Sequence, residues 1–152
     1  MDRARLGRLV ERTLASEHAP DGELCVAFVG DRTMRRINRD FRSIDRTTDV
    51  LSFSYVEESH AGGVLGEIFV SPAVARSQAE GAGCPLEEEV SRLVLHGLLH
   101  VLGYDHDTAP ARRKMLGRQE RYLSRHLDGP AGSRRRRTAG RPPGRRAGAE
   151  SC

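Results

Sequence analysis

The sequence has no tryptophan and few other aromatic residues, so its hydrophobic core must be mainly aliphatic. Aromatic residues make up 5% of the 152 residues, and hydrophobic residues together make up 38%. This content is sufficient for one domain with a real core, because domains cluster at about 100 to 150 residues. We expect no second domain.

Long hydrophobic runs are also missing, and none approaches the ~20 apolar residues that a membrane-spanning helix requires. The first residues include Asp2 and Arg3 followed by a mixed polar stretch, and they lack the apolar centre of a signal peptide. We therefore expect a cytoplasmic protein that has no membrane partner.

The three cysteines are too few and too irregularly spaced for a disulfide framework or a cysteine metal site. An odd number without paired spacing is typical of a protein from a reducing compartment. We expect Cys25 and Cys84 to be buried as small apolar residues, and Cys152 to be a free thiol in a polar tail.

The net charge of +4 is unevenly distributed along the chain. Residues 129–152 contain seven arginines and one glutamate, whereas residues 1–128 contain 18 basic and 20 acidic residues, a net charge of −2. The segment 129–152 is rich in Gly, Pro, Ala and Arg without apolar periodicity, and we predict that it is a disordered tail. Its arginines could attract RNA phosphates, or they could form a solvated segment with no specific role. The domain is therefore predicted to be residues 1–128.

Helical and strand patterns follow one another in an order typical of an α+β domain. Apolar residues at helical spacing predict helices, and short β-prone runs between turn residues predict strands. Asp31 is expected to cap the second helix. The predicted helices lie at about 6–14, 31–41, 72–80, 85–102 and 109–127, and the predicted strands at 23–29, 49–55 and 64–71. We expect a small mixed β-sheet with helices packed on it.

Three of the six histidines fall within eleven residues, on a helix that is otherwise apolar. His96 and His100 are four residues apart and should project from one helix face, about 5 to 6 Å apart at Cβ. Gly103 is expected to end the helix in a left-handed conformation, so that the chain returns and His106 approaches the pair. Three imidazoles with one open coordination position describe a zincin-like catalytic zinc site. Nickel, copper and iron suit the same ligands, so another divalent transition metal stays open.

The histidine spacing also matches the metzincin metalloproteases, which place a glutamate directly after the first histidine as general base. Gly97 occupies that position here. The missing base disfavours a protease, although a metal-dependent hydrolase of another substrate remains an alternative.

Three motifs together resemble those of the YbeY-type rRNA maturation factors, a bacterial family of metal-dependent endoribonucleases. They are HGLLHVLGYDH at 96–106, TDVLSF at 48–53 and GEIFVS at 66–71. The resemblance covers the chain from Glu23 to Leu127, and its motifs occur in the family's order. Ser54 stands where the family usually has proline, and Glu67 where it often has aspartate.

This resemblance implies a single-strand-specific endoribonuclease that matures 16S rRNA, including its 3′ end, and takes part in ribosome quality control. It also implies one zinc ion, the small ribosomal subunit as partner, and a requirement for Arg42. A fixed guanidinium can donate two hydrogen bonds to a phosphate that gains charge during cleavage. An arginine at a helix end can equally be a solvated surface residue. A ribosome-assembly factor that uses its metal only for stability is the alternative from another class.

Two residues near the histidines keep a structural alternative. Asp105 could orient a ligand imidazole, or it could serve the turn after Gly103. Tyr104 is expected to pack rather than to act in catalysis. Glu67 could act as a distant base, but it is interpreted as a surface carboxylate at a strand end.

Overall fold

A computed structural model describes residues 1–129 of the chain. Its elements are α1 (Arg3–Ser16), β1 (Glu23–Phe28), α2 (Asp31–Arg42), β2 (Val50–Ser54), β3 (Val64–Val70), α3 (Pro72–Ala82), α4 (Leu86–Val101) and α5 (Ala109–Leu127). The predicted order of helices and strands is confirmed. Apart from Gly129, the tail predicted at 129–152 lies outside the described residues. Within residues 1–129, no helix combines the length and apolar character needed to cross a membrane.

The sheet has three strands in the order β1, β3, β2. The central strand β3 runs parallel to β1 and antiparallel to β2. The predicted small mixed sheet, and with it the α+β class, is therefore confirmed.

Helix α4 packs on one face of this sheet, and two glycines permit the close approach. A Cβ atom at Gly66 of β3 would lie 2.6 Å from a methyl group of Val101, and one at Gly97 would lie 2.9 Å from Ile68. Distances this short exclude a side chain at either position without movement of its neighbour. Helices α1, α3 and α5 contact the other sides of α4, which explains why the second half of this helix is apolar nearly all round.

Helix α2 lies toward the opposite face of the sheet. Because side chains alternate along a strand, Leu51 and Phe53 of β2 point away from the face that α4 covers. Leu51 is buried, as is Met34 of α2. The ring of Phe41, in the last turn of α2, contacts the ring of Phe53 edge to face at a centroid distance of 5.3 Å. The covered part of this face therefore ends near Phe53.

Two sequence expectations about local environment are wrong. Cys25 is exposed, because it lies on the outer strand β1 and alternates with Leu24 and Val26, which face the core. Cys84 is only half-buried, and Cys152 lies outside the described residues. Asp31 is the first residue of α2 and not its cap, which is Gly30; its carboxylate instead accepts a hydrogen bond from the Ser71 hydroxyl at 3.1 Å.

Candidate metal centre

The three histidines singled out in the sequence come together at the C-terminal end of α4. One ring nitrogen from each of His96, His100 and His106 lies within 4.8 Å of the other two. The ring centroids are 4.9 Å apart for His96 and His100, and 5.0 Å apart for His100 and His106. All three side chains are half-buried, so the cluster is accessible from one side.

The loop after α4 returns His106 to the helix as predicted. Gly103 has a φ of +101°, a conformation that side chains rarely adopt. The backbone N–H of Gly103 donates to the carbonyl of His100, and that of Tyr104 donates to the carbonyl of Leu99, both at 3.0 Å. These bonds end the helix and fix the position of the loop.

The donor set fits a transition metal. In a tetrahedral site with metal–nitrogen bonds of about 2.0 to 2.1 Å, ligand nitrogens lie about 3.3 Å apart. Nδ1 of His106 and Nε2 of His100 are already 3.1 Å apart. Burial, together with the neighbouring His96 and His106, lowers the pKa of His100 to about 4. Its imidazole is therefore neutral at physiological pH, which is the form that binds metals.

Gln119 of α5 is a site residue that the sequence reasoning missed. Its Oε1 lies 2.9 Å from Nδ1 of His96, and its side chain is buried. An amide oxygen only accepts hydrogen bonds, so Nδ1 of His96 carries the proton and Nε2 keeps its lone pair. One sequence feature could have revealed it: Gln119 lies at four-residue spacing between Met115 and Leu123, on the buried face of α5.

Glu17, just after α1, holds the returning loop from the other side. Its carboxylate accepts hydrogen bonds from the hydroxyls of Tyr104 and Tyr122 and pairs with Arg118 at 3.0 Å. Burial opposes ionisation of Glu17, but these three donors outweigh it and lower the pKa of the carboxyl below its ordinary value of 4.5. Tyr104, expected to pack, thus ties the segment that carries His106 to the body of the domain.

Gly97 decides against the metzincin alternative. A Cβ atom at Gly97 would point at Ile68 in β3, so this position of the helix faces the core. A glutamate there would collide with β3 before it could serve as a base at the histidines. The chain therefore shares the histidine spacing of those proteases but lacks their general base.

The comparison with known families agrees with the motifs in the sequence. Residues 2–126 match the family model described as "Endoribonuclease YbeY". The chain belongs to this family. It is similar to proteins named Endoribonuclease YbeY. The one from Geobacillus kaustophilus is 42% identical over 78% of this chain and 82% of the relative. The one from Aquifex aeolicus is 36% identical over 78% of this chain and 79% of the relative. The predictions of family and of endoribonuclease class are thereby confirmed.

A solved structure shares the fold. The solution structure of TM1509 from Thermotoga maritima matches with a TM-score of 0.60 and 30% sequence identity, over 82% of this chain and 80% of that one. The similarity therefore extends across the sheet and the helices that position the histidines.

One departure from the YbeY pattern has a structural role in this chain. The hydroxyl of Ser54, at the position where the family usually has proline, donates to the carbonyl of Val101 at 2.7 Å. Val101 directly follows His100. The end of β2 is therefore joined to the end of α4 beside a candidate ligand.

Arg42 is the last residue of α2 and is half-buried. Its Nη1 atom is shielded from solvent and has no hydrogen-bond partner within residues 1–129. A buried guanidinium nitrogen without a partner is costly unless a ligand satisfies it. The guanidinium of Arg42 is therefore not fully solvated, and its predicted role in catalysis stays a prediction.

The two other residues with open interpretations have local partners. Asp105 Oδ1 accepts a hydrogen bond from the backbone N–H of Asp107 at 3.3 Å, which supports its role in the turn. The expected strand-end position of Glu67 is wrong: Glu67 is the middle residue of β3, is half-buried, and accepts a hydrogen bond from the hydroxyl of Tyr55 at 2.8 Å.

Proposed function

We propose that this chain is a single-strand-specific endoribonuclease that matures the 3′ end of 16S rRNA with one metal ion held by His96, His100 and His106. The convergence of three imidazoles in a member of an endoribonuclease family carries this proposal. Zinc is the first candidate, because three histidines with an open fourth position form a common catalytic zinc site. Other divalent transition metals suit the same donors.

The metal would supply a positive charge that polarises a phosphoryl oxygen of the RNA. The surrounding residues prepare the ligands for this role. Gln119 holds the proton on Nδ1 of His96, so that Nε2 is free to bind the ion. Glu17 and Tyr104 restrain the loop that carries His106. Little rearrangement is then needed when the ion binds.

Arg42 is proposed as the residue that holds the scissile phosphate. Cleavage of a phosphodiester builds negative charge on the phosphoryl oxygens, and a planar guanidinium can donate to two of them at once. The half-buried position of Arg42 restricts the motion of its guanidinium. Such fixed donors stabilise the transition state more than mobile ones.

The proposed setting is the bacterial cytoplasm, where the substrate would be rRNA within the small ribosomal subunit. Ribosome quality control is a further part of the proposal, because an endoribonuclease that acts on unpaired RNA can also degrade exposed rRNA. These assignments rest on the YbeY family and on the motifs at 48–53 and 96–106.

The test is cleavage of a single-stranded RNA that carries the 3′ end of 16S rRNA, with a duplex of the same sequence as control. Treatment with a chelator should abolish cleavage, and zinc should restore it, whereas the duplex should stay intact. If chelation lowers the melting temperature and RNA is never cleaved under any metal, the alternative of a non-catalytic assembly factor whose metal serves only stability is favoured. Cleavage of a peptide instead would favour the other hydrolase alternative.

A further inference from the structure

Three phenylalanines form a continuous row on the sheet face opposite α4. Phe53 contacts Phe41 at a centroid distance of 5.3 Å and Phe69 at 6.0 Å, both edge to face. We call Phe41, Phe53 and Phe69 the phenylalanine ladder. They account for three of the four phenylalanines in the chain, so the few aromatic residues are concentrated at one place.

The outer end of the ladder is open to solvent. Phe41 is 71% exposed, although it lies on the side of α2 that buries Met34 and Asn38. The helix thus extends past the part of the sheet that it covers and carries a large apolar ring into water. Phe53 and Phe69 are only half-buried. One exposed ring thus continues into two partly exposed rings, and apolar surface grouped in this way is a feature of binding sites.

The segment that carries Phe41 is strongly basic. Residues 31–46 contain six arginines and three aspartates, a net charge of +3, whereas residues 1–128 as a whole carry −2. Arg35 and Arg39 pair with Asp45 and Asp40. The other four arginines form no ion pair within the part of the chain that the structure describes; they are Arg32, Arg36, Arg42 and Arg46. The segment that carries the exposed ring therefore has an excess of positive charge.

Strand β2 links the ladder to the helix that carries two of the candidate ligands. Phe53 is followed by Ser54, whose hydroxyl is bonded to the carbonyl of Val101, the residue after His100. One end of the ladder is therefore held next to the end of the helix that carries two of the histidines. An RNA strand that lay on Phe41 and Phe53 would reach the histidines around the β2 edge of the sheet.

We propose that the phenylalanine ladder is a platform on which unpaired bases of the RNA stack, while the arginines of residues 31–46 contact its phosphates. Every base has a face that can stack on an aromatic ring, and flanking arginines follow the backbone. Bases inside a duplex are stacked on one another and cannot reach such a ring. The platform would thus give the enzyme its preference for single strands. This inference rests on the proposed function only in taking RNA as the ligand.

The first test measures binding without cleavage. A 2′-O-methyl RNA strand, labelled for fluorescence anisotropy, is titrated with the full chain in the presence of a chelator at about 150 mM salt. Phe41→Ala should weaken binding by about tenfold, the scale of losing one base–aromatic stack. Because the ring is mostly exposed, its removal should leave the melting temperature unchanged. Leu116→Ala, which removes a side chain that is 40% exposed on α5, is the matched control and should bind like the original chain.

A second titration separates stacking from charge. A strand of the same length with abasic sites keeps its phosphates, so it should bind weakly and equally to the original chain and to Phe41→Ala. Arg36→Ala should instead weaken both strands and reduce the salt dependence of binding. Equal affinity of Phe41→Ala and the original chain for the base-containing strand would overturn the proposal, whether or not the chain cleaves RNA. A base-dependent loss in a chain that never cleaves would uphold the platform and contradict only the proposed catalysis.

Discussion

Replacement of Gln119 by leucine should weaken metal binding without unfolding the domain. The amide oxygen of Gln119 is the acceptor for Nδ1 of His96 at 2.9 Å. Leucine has a similar volume and no acceptor, so the proton of His96 is no longer confined to the nitrogen that faces away from the metal. Loss of such a partner typically lowers metal affinity by about 10- to 100-fold, which is about 1.4 to 2.8 kcal/mol. The metal-free chain should lose only the net value of one hydrogen bond, about 0.5 to 1.5 kcal/mol.

The measurement is a competition titration with a coloured chelator, accompanied by thermal unfolding of the metal-free chain. Gln119→Glu is the matched variant, because a carboxylate keeps an acceptor at the same place and should retain or raise the affinity. Equal zinc affinity of Gln119→Leu and the original chain, within twofold, would refute the idea that this hydrogen bond prepares His96 as a ligand.

Three further predictions concern the phosphate donor, the loop and the tail. Arg42→Ala should lower cleavage of single-stranded RNA by at least ~100-fold with metal content and melting temperature unchanged, and Arg42→Lys should recover little; cleavage within a few-fold of the original would remove Arg42 from the site. The pKa of Glu17 is lowered, so its ionised form stabilises the fold above about pH 4.5 and this contribution is lost as the pH falls. Glu17→Gln should therefore lower the melting temperature by about 4 to 8 °C at pH 7, and a difference that persists undiminished in acid would contradict this origin. A chain that ends at Asp128 should keep the melting temperature of the full chain, whereas aggregation would show that the domain boundary is misplaced.

The elements and the histidine cluster could be predicted from the sequence because their determinants are local. Helix α5 has the predicted limits, since Thr108 caps its first turn and Pro110 suits that turn. The spacing of His96 and His100 fixes them on one helix face, and Gly103 supplies the positive φ that returns His106. In each case, neighbours along the chain decide the geometry.

Glu17 and Gln119, which hold the histidines in position, could not be predicted, because their partners are distant in sequence. Glu17 meets Tyr104 and Tyr122 only after α1 and α5 have packed, and Gln119 meets His96 across the same kind of contact between helices. Cys25 was misjudged because a short apolar run does not tell which face of a strand is covered. The packing of the helices decides it: Leu24 and Val26 face the core, whereas Cys25 faces away from it.

The central claim is that one metal ion at three histidines drives RNA cleavage, and a stoichiometric titration tests it most directly. The metal-free chain is titrated with zinc while cleavage of single-stranded RNA and bound metal are measured on the same samples. Activity should rise linearly and level off at one equivalent per chain, and His100→Ala should neither retain the ion nor cleave. Full cleavage by the metal-free chain, or full metal content and activity in His100→Ala, would contradict the account.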